Sequence, residues 1–267
     1  MIEGDAMIEE TQRASEAVPA GSAILRAVRI LEAIAGQDSP PPLSEICREV
    51  DLPKPTVYRI LTTLEHAGLI GREPGTKRYT CAERLSTLAG DTLLRSPNRA
   101  ARRGVLEELV EQVGETCNIS IPNNNSVLLL DRVEVGWPLR VALSSGSTLP
   151  LYASASGKLF LSHLPKRSRD RFLRVTPLIS HTRNTLTDPA RLSREFEQIR
   201  SDGYATENEE YLAGVSCLAV PVRDIDGRVV AALSVHAPAD RLGLDEAKEF
   251  LPLMRQSADA IAQTIDW

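Results

Sequence analysis

Residues 43 to 80 read LSEICREVDLPKPTVYRILTTLEHAGLIGREPGTKRYT, and this segment carries the clearest structural pattern in the chain. Its centre predicts an amphipathic helix that begins near Pro55, because apolar residues recur there at helical spacing: Val57, Ile60, Leu61 and Leu64. That stripe must face a core, which turns Arg59 and its polar neighbours outward. Gly68, just after His66, marks the end of the helix.

A shorter helix and a hairpin flank this helix. Leu43, Ile46 and Val50 form the apolar side of the shorter helix, and only residues 51–53 remain for a turn before the next one. Downstream, two strand-like runs surround Pro74-Gly75, a pair suited to a type II turn. Two helices, a tight turn and a basic hairpin are the parts of a winged helix-turn-helix, whose second helix enters the major groove of DNA.

The same pattern predicts which side chains meet DNA. Those on the outward helix face read or clamp the bases, and the basic ones on the hairpin bind backbone phosphates. The predicted set is Lys54, Pro55, Thr56, Tyr58, Arg59, Thr62, Arg72, Lys77 and Arg78. Because one small module makes few contacts, we expect a homodimer, or a dimer of dimers, on a near-palindromic double-stranded operator. A plain helical hairpin with a solvated polar face is the alternative.

Charge is distributed unevenly along the chain. The 267 residues carry a formal net charge of -5, and their 42% apolar and 25% charged content is typical of soluble globular domains. Residues 1–21 contain one Arg and five acids, whereas residues 54–78 contain five basic residues and two acids. The positive charge is therefore local, as expected of a small DNA-binding module joined to a neutral or acidic domain.

The cysteines, Cys47, Cys81, Cys117 and Cys217, lie far apart, without a CxxC pair and without His at metal-ligand spacing. Neither a zinc site nor a disulfide framework is indicated, and we expect no metal and no cofactor. The chain has no run of about 18 apolar residues, and its acidic first residues are unlike a secretory signal. We therefore expect a cytoplasmic protein without membrane contact.

Composition predicts four segments. Residues 1–21 are polar, acidic and aperiodic, as in a disordered arm; residues 22–82 form the winged helix-turn-helix; residues 83–97 form a linker helix; residues 98–267 form a second domain. A first helix, capped by Ser22, is expected to carry an apolar stripe along one side, formed by Ile24, Val28, Leu31 and Ile34. A basic cluster follows the linker helix, and it is either near phosphates or on a solvated face: Arg95, Arg99, Arg102 and Arg103.

The second domain alternates strands and helices, which predicts an α+β sensor-like fold. The strand-like runs are residues 117–121, 127–133, 139–143, 217–222 and 229–237, and the predicted helices are 153–164, 188–202 and 245–265. Within the last strand, period-2 alternation places Ser234 and His236 on one face, away from Leu233 and Val235.

Several of these pieces together resemble the IclR family of bacterial transcriptional regulators, over nearly the whole chain after residue 21. The pieces are SAILRAVRILEAI, LPKPTVYRILTTLEHAGLI, KRYT, LPLYASASGKLFL, GYATENEEYLAGVSCLAVPV and GRVVAALSV. The resemblance implies an α+β protein of two domains, in which a winged helix-turn-helix is joined by a helix to a GAF-like antiparallel-sheet domain. That second domain would bind a small-molecule effector and mediate dimer or tetramer contacts.

The resemblance also implies where the effector binds. The family's pocket residues match Leu149, Ala155, Ser156, Glu207, Val215, Cys217, Ser234 and His236. Relatives that sense small keto acids carry Asp and Ser at the positions of Glu207 and His236, which implies a different ligand. We expect the effector to be a carboxylate, because the helix opens with small residues up to Gly157 and a ligand can approach its first backbone amides. Tyr152 is expected to close one side of this pocket. Alternatively, the small residues only let helix and sheet pack closely.

Two other functional classes compete with a ligand-responsive DNA-binding regulator. A thiol hydrolase would use Cys217 as nucleophile, His236 as base and Glu207 to orient it, but an apolar strand should raise the pKa of that thiol. No G-x-S-x-G elbow is present in the sequence. Residues 157–159, GKL, lack the upstream Gly and the following Ser or Thr of a phosphate-binding loop. We therefore expect no catalysis. A partner-binding scaffold is the third class, and salt-sensitive DNA binding would exclude it.

Overall fold

The computed structural model describes residues 22–37, 39–136 and 143–265. The chain divides into two compact units after Leu85. The helix Glu83–Leu94 crosses this boundary, so most of the segment predicted as a linker helix is grouped with the second unit. The predicted arm, residues 1–21, lies outside the described residues.

Within its described residues, the first unit contains three helices and a hairpin. Its elements are α1 (Ala23–Ala35), α2 (Leu43–Val50), α3 (Lys54–His66), β1 (Ile70–Arg72) and β2 (Tyr79–Cys81). The predicted core stripe of α3 is confirmed: Val57 and Leu61 are fully buried, and they share one apolar cluster with Ile46 and Ile70. The predicted helix-turn-helix and wing are therefore present.

The turns of this module follow the predicted chemistry. Thr76 N donates to Glu73 O at 3.1 Å, and Gly75 between them has a φ of 73°. A positive φ at the third residue of a turn defines type II, and glycine adopts it without steric cost. Gly68 has a φ of 69° just beyond α3, as predicted. Both backbone reversals position the hairpin beside the end of α3.

The prediction for α1 is wrong in part: Ile34 is buried and Leu31 packs against the core, as predicted, but Ile24 and Val28 do not face it. Ile24 and Val28 are 75% and 42% exposed, whereas Ile30, Ala33 and Ile34 are buried. The helix has apolar residues on two adjoining sides. The side that faces the core carries Ala33, whose small side chain lets the helix pack closely against its neighbours. Ser22 occupies the N-cap position, but its side chain makes no capping hydrogen bond.

The second unit is built on a six-stranded antiparallel sheet with the strand order β5-β4-β3-β8-β7-β6. The strands are β3 (Thr116–Asn123), β4 (Ser126–Val133), β5 (Thr148–Pro150), β6 (Ala205–Asn208), β7 (Val215–Arg223) and β8 (Val229–Pro238). The helices are α4 (Glu83–Leu94), α5 (Arg99–Val113), α6 (Ala155–His163), α7 (Lys166–Val175), α8 (Pro189–Asp202), α9 (Leu244–Glu249) and α10 (Leu251–Ala262).

Each face of this sheet supports its own apolar core. On one face Leu233 and Val235 pack with residues of α5 and α10; on the other Cys217 and Ala232 pack with residues of α6 and α8. The alternation predicted for β8 is therefore confirmed, and Ser234 and His236 lie on the face that α6 covers. This face carries the cavity described below.

Some elements differ from the sequence prediction. The edge strands β5 and β6 were not expected, because they are short and contain few β-formers, and α7 was not expected because most of its residues are charged. The strand predicted at 139–143 lies outside the described residues, apart from Leu143. The single helix predicted over 245–265 is divided at Phe250, since Pro252 has no amide hydrogen to continue the bonding of α9.

The prediction for the basic cluster after the linker helix is corrected for two of its residues, whereas Arg95 and Arg103 are exposed, as on a solvated face. Arg102 is fully buried, and its Nε donates to Asp131 at 2.9 Å, while Arg99 Nε donates to the other oxygen of Asp131 at 2.9 Å. Arg102 also holds Leu93 O at 3.0 Å. Asp131 comes from strand β4, distant in sequence, so the ion pair could not be read from charge spacing. In the described part of the chain, no helix is long and apolar enough to cross a membrane.

Candidate functional site

The outward face of α3 is polar and accessible. Lys54, Pro55 and Arg59 are exposed, and Tyr58 is 52% exposed, an unusual position for an aromatic side chain without a partner surface. Thr62 is partly buried, and its hydroxyl donates to Tyr58 O at 2.9 Å, so its oxygen is left as an acceptor. Thr56 is also partly buried.

The three predicted hairpin cations have different environments. Arg72 donates to Glu65 through Nε at 3.0 Å and Nη2 at 3.2 Å, and its guanidinium lies 5.2 Å from the centre of the Tyr79 ring. Arg78 Nη1 donates to Pro40 O at 2.7 Å. Lys77 is exposed, and no described acidic residue pairs with it. Lys77 is therefore the hairpin cation that is most available for a phosphate.

A small cavity lies on the α6 side of the large sheet. It is bounded by the start of α6 and by strands β6, β7 and β8. Its lining residues are Leu143, Leu149, Ser154, Ala155, Ser156, Glu207, Tyr211, Leu212, Val215, Cys217 and His236. The walls are thus mainly apolar with a few polar groups, the usual composition of a small-molecule pocket.

Glu207 is the acid of this cavity. It is 4% exposed, and its Oε1 accepts the amide N–H groups of Glu210 and of Tyr211, the latter at 3.0 Å. Burial raises the pKa of the Glu207 carboxyl to about 7, although the two amide hydrogen bonds act against that rise. Near neutral pH this carboxyl is therefore partly protonated.

An ion-pair network lies next to Glu207. Lys158 is fully buried on α6, and its Nζ donates to Glu210 Oε1 at 2.6 Å and to Glu195 Oε1 at 3.0 Å. Glu210 is the residue whose amide binds Glu207, so the network positions the loop that holds the cavity acid. The cation of Lys158 is neutralised within the network and is not part of the cavity lining.

Beside Glu207, the sheet floor of the cavity carries two uncharged side chains, Cys217 and His236. Cys217 pairs in register with both Glu207 and His236, so these side chains form one row across the sheet. Burial, together with the nearby Arg132 cation, lowers the pKa of His236 to about 3, and burial raises the pKa of the Cys217 thiol well above its usual value. His236 is therefore neutral, which removes the pH response that a protonated His236 would bring, and Cys217 is not an activated nucleophile.

The start of α6 differs in part from the prediction. Ser154 Oγ accepts the amide of Gly157 at 3.2 Å, so this amide is capped. A Cβ atom on Gly157 would lie 2.3 Å from Leu151 O, so glycine at this position lets the helix backbone approach the backbone of Leu151 closely. The capping leaves the amides of Ala155 and Ser156 without a side-chain partner at a helix start. Ser154, Ala155 and Ser156 line the cavity, and Gly157 does not.

Family comparisons match both units of this chain. The model described as the IclR helix-turn-helix domain matches residues 23–74, and the model described as the bacterial transcriptional regulator IclR C-terminal matches residues 92–263. The chain belongs to the IclR family of transcriptional regulators. It is therefore a regulator with a DNA-binding helix-turn-helix, and not an enzyme, so the thiol-hydrolase alternative is excluded.

Curated IclR relatives are similar over most of their length. A probable transcriptional regulator of Cupriavidus necator, SauR, is 39% identical over 243 residues, which cover 91% of this chain and 96% of the relative. The transcriptional repressor IclR of Escherichia coli K12 is 29% identical over 241 residues, covering 89% and 88%.

Solved IclR-family structures share the fold. The Thermotoga maritima IclR structure has a TM-score of 0.61 at 27% identity and covers 91% of this chain and 98% of its own. An IclR homolog from Microbacterium hydrocarbonoxydans, solved in complex with 4-hydroxybenzoate, has a TM-score of 0.57 at 27% identity, with the same coverage. These likenesses agree with the predicted α+β architecture of a winged helix-turn-helix and an antiparallel-sheet domain.

The structure brings together most of the pocket residues that the IclR resemblance implied. All of them except Ser234 line the cavity; Ser234 lies on the same sheet face but is fully buried. Tyr152 does not close the cavity, because its hydroxyl is held by Ile179 O at 2.8 Å and by His181. Sequence reasoning missed Leu143, Ser154, Tyr211 and Leu212. Tyr211 and Leu212 had no local signal, since their loop is positioned by the amide bonds to Glu207.

Proposed function

We propose that this regulator binds a near-palindromic operator as a homodimer or dimer of dimers, and that a small carboxylic acid in the sheet cavity controls this binding. The observation that carries the proposal is the cavity between the start of α6 and the Glu207 row of the sheet. A concave, mostly apolar site with few convergent polar groups is the usual form of a ligand pocket. In this proposal α4 connects the DNA-binding unit to the effector-binding unit.

The DNA side of the proposal rests on the exposed face of α3. Arg59, Lys54 and Tyr58 project from the face opposite the buried stripe, with Pro55, Thr56 and Thr62 beside them. An arginine in the major groove can donate to both acceptors of a guanine, and a lysine or tyrosine nearby can bind a phosphate. Arg72, Lys77 and Arg78 are proposed to bind phosphates from the hairpin. One such module per half-site explains why two copies are needed.

The hairpin cations differ in how available their charge is for a phosphate, which leads to a prediction. Replacing Lys77 with alanine should weaken binding to all DNA sequences alike and reduce the slope of log affinity against log salt by about one unit. The Arg72→Ala variant is the matched comparison, and it should change the slope less, because Glu65 already neutralises that guanidinium. Fluorescence anisotropy over a range of salt concentrations measures both slopes. Equal slopes for the two variants would contradict this difference.

The effector side of the proposal rests on three features of the cavity. The amides of Ala155 and Ser156 stand at the positive end of a helix, where a carboxylate is stabilised without any Lys or Arg. Leu149 and Val215 provide apolar walls, and neutral His236 can donate or accept one hydrogen bond. The aromatic acid bound to the Microbacterium relative supports the same ligand class.

The test uses DNA selected from a random pool by the wild-type protein, which we expect to contain an inverted repeat. Its affinity is measured with and without a panel of acids: 4-hydroxybenzoate, benzoate and pyruvate. At least one acid should change the operator affinity of the wild type. The Val215→Trp variant, which fills the cavity, should lose this response and keep its DNA affinity.

The control for cavity filling is Val175→Trp, at a position that is 65% exposed on α7. This variant should respond to the acid as the wild type does. A response that survives Val215→Trp would place the effector elsewhere, and selected DNA without an inverted repeat would contradict the dimeric reading.

A further inference from the structure

The charge of the described cavity lining is unfavourable for an acid. Among its described lining residues none is Lys or Arg, and Glu207 is the acidic residue. An ionised Glu207 would repel a carboxylate that occupies the same small, mostly apolar space, since two like charges at close range in a desolvated site destabilise each other. Binding of an acid therefore requires a change in the charge of Glu207.

The groups around Glu207 do not neutralise it. On the loop after β6, Glu210 and Tyr211 supply amide hydrogens, both to Oε1, and the Glu210 carboxylate is itself an acid. On β7 and β8, the row continues with Cys217 and His236, which are both uncharged. From α6 comes Lys158, whose ammonium is held between Glu210 and Glu195.

We propose that Glu207 and the effector carboxylate share one proton, so that each acid molecule binds together with a proton. This inference rests on the proposed function and adds the protonation state in which the ligand is recognised. The protonated Glu207 donates one hydrogen bond to a carboxylate oxygen of the ligand. The ligand's negative charge is stabilised by the amides at the start of α6. At higher pH the proton is taken up from the buffer: one O–H bond forms on the Glu207 carboxylate as the bond between that proton and its buffer donor breaks, and no other covalent bond changes.

This arrangement makes affinity depend on pH in a defined direction. Burial holds the pKa of Glu207 at about 7, so the free protein already carries the proton at lower pH and must take it up at higher pH. Affinity for an acid should be about tenfold weaker near pH 8 than near pH 6, where a simple acid is ionised at both values. Proton uptake on binding should approach one at the higher pH and be small at the lower.

The experiment is titration calorimetry of the full chain with the same three acids and with their amides. Measurements near pH 6 and near pH 8, each in two buffers of different ionisation enthalpy, give the number of protons taken up. In the wild type, the binding acid should show the tenfold loss and the proton uptake, whereas an amide should show neither. The Glu207→Gln variant, which keeps the Oε1 acceptor, should bind the acid with little pH dependence.

The control variant is Glu197→Gln, which removes an exposed acid of α8 and should behave as the wild type. Acid binding in the wild type without proton uptake at the higher pH would overturn this inference and leave the proposed function intact. Proton uptake that persists in Glu207→Gln would assign the proton to another group and also overturn it. If none of the three acids binds at either pH, both the inference and the carboxylic-acid effector are wrong.

Discussion

Replacing Arg59 with alanine is expected to weaken binding to the selected operator by about 1 to 3 kcal/mol, roughly five- to 150-fold. The guanidinium is exposed at the centre of the polar face of α3, and no described acid pairs with it. A bidentate contact to guanine loses both hydrogen bonds in the variant, so the loss should be greater for the selected operator than for random DNA. Anisotropy titrations with both DNAs measure the difference.

The control for this prediction is Arg29→Ala, which removes an exposed cation from α1 of the same unit. It should lower affinity for both DNAs equally and only slightly, through the change in overall charge. Operator binding by Arg59→Ala that equals that of the wild type would remove Arg59 from the interface. A loss of the same size on both DNAs would make Arg59 a phosphate contact instead.

The second large effect is expected from Lys158→Met, which should lower the free energy of unfolding by about 3 to 5 kcal/mol. Methionine retains most of the apolar length of lysine, so the variant removes the charge and leaves the packing of α6 nearly intact. The side chain of Glu210 is 7% exposed and would be left as a buried carboxylate without its cation. Glu195, which is 31% exposed, can turn to water. Denaturation by urea measures the loss.

Two further variants test whether this loss of stability comes from the unpaired charge of Glu210. Adding Glu210→Gln to Lys158→Met removes the stranded charge and should restore part of the stability, which a double-mutant cycle measures. Lys166→Met breaks the exposed pair with Asp170 on α7 and should leave the stability nearly unchanged. If Lys158→Met and Lys166→Met were equally mild, the buried network would not stabilise the fold as argued.

The sequence alone predicted the DNA-binding unit in most details. The stripe from Val57 to Leu64 has helical spacing, and the turn at Pro74-Gly75 depends on the backbone preferences of those two residues. Such signals are local, so they survive without knowledge of the rest of the chain. The error in α1 arose because Ile24 and Val28 gave the helix a second apolar side, and only its neighbours determine which side is buried.

The resemblance to the IclR family identified the cavity residues in the sequence. Their protonation states and exposure were decided by the tertiary structure. The alternation in β8 placed Ser234 and His236 on one face, yet only the packing of α6 left His236 in the cavity and Ser234 fully buried. Period-2 patterning tells which face a residue occupies and not what covers it.

What the sequence by itself determined were the elements and the faces whose signals lie within about 15 residues, including α3, the wing and the core side of β8. Only the tertiary structure decided the partners of the charged residues. Asp131 meets Arg102, and Lys158 meets Glu210, across 29 and 52 positions of the chain. The physical reason is that charge pairing and the pKa of a carboxyl such as Glu207 depend on distance and burial in space, and neither quantity is encoded in local spacing.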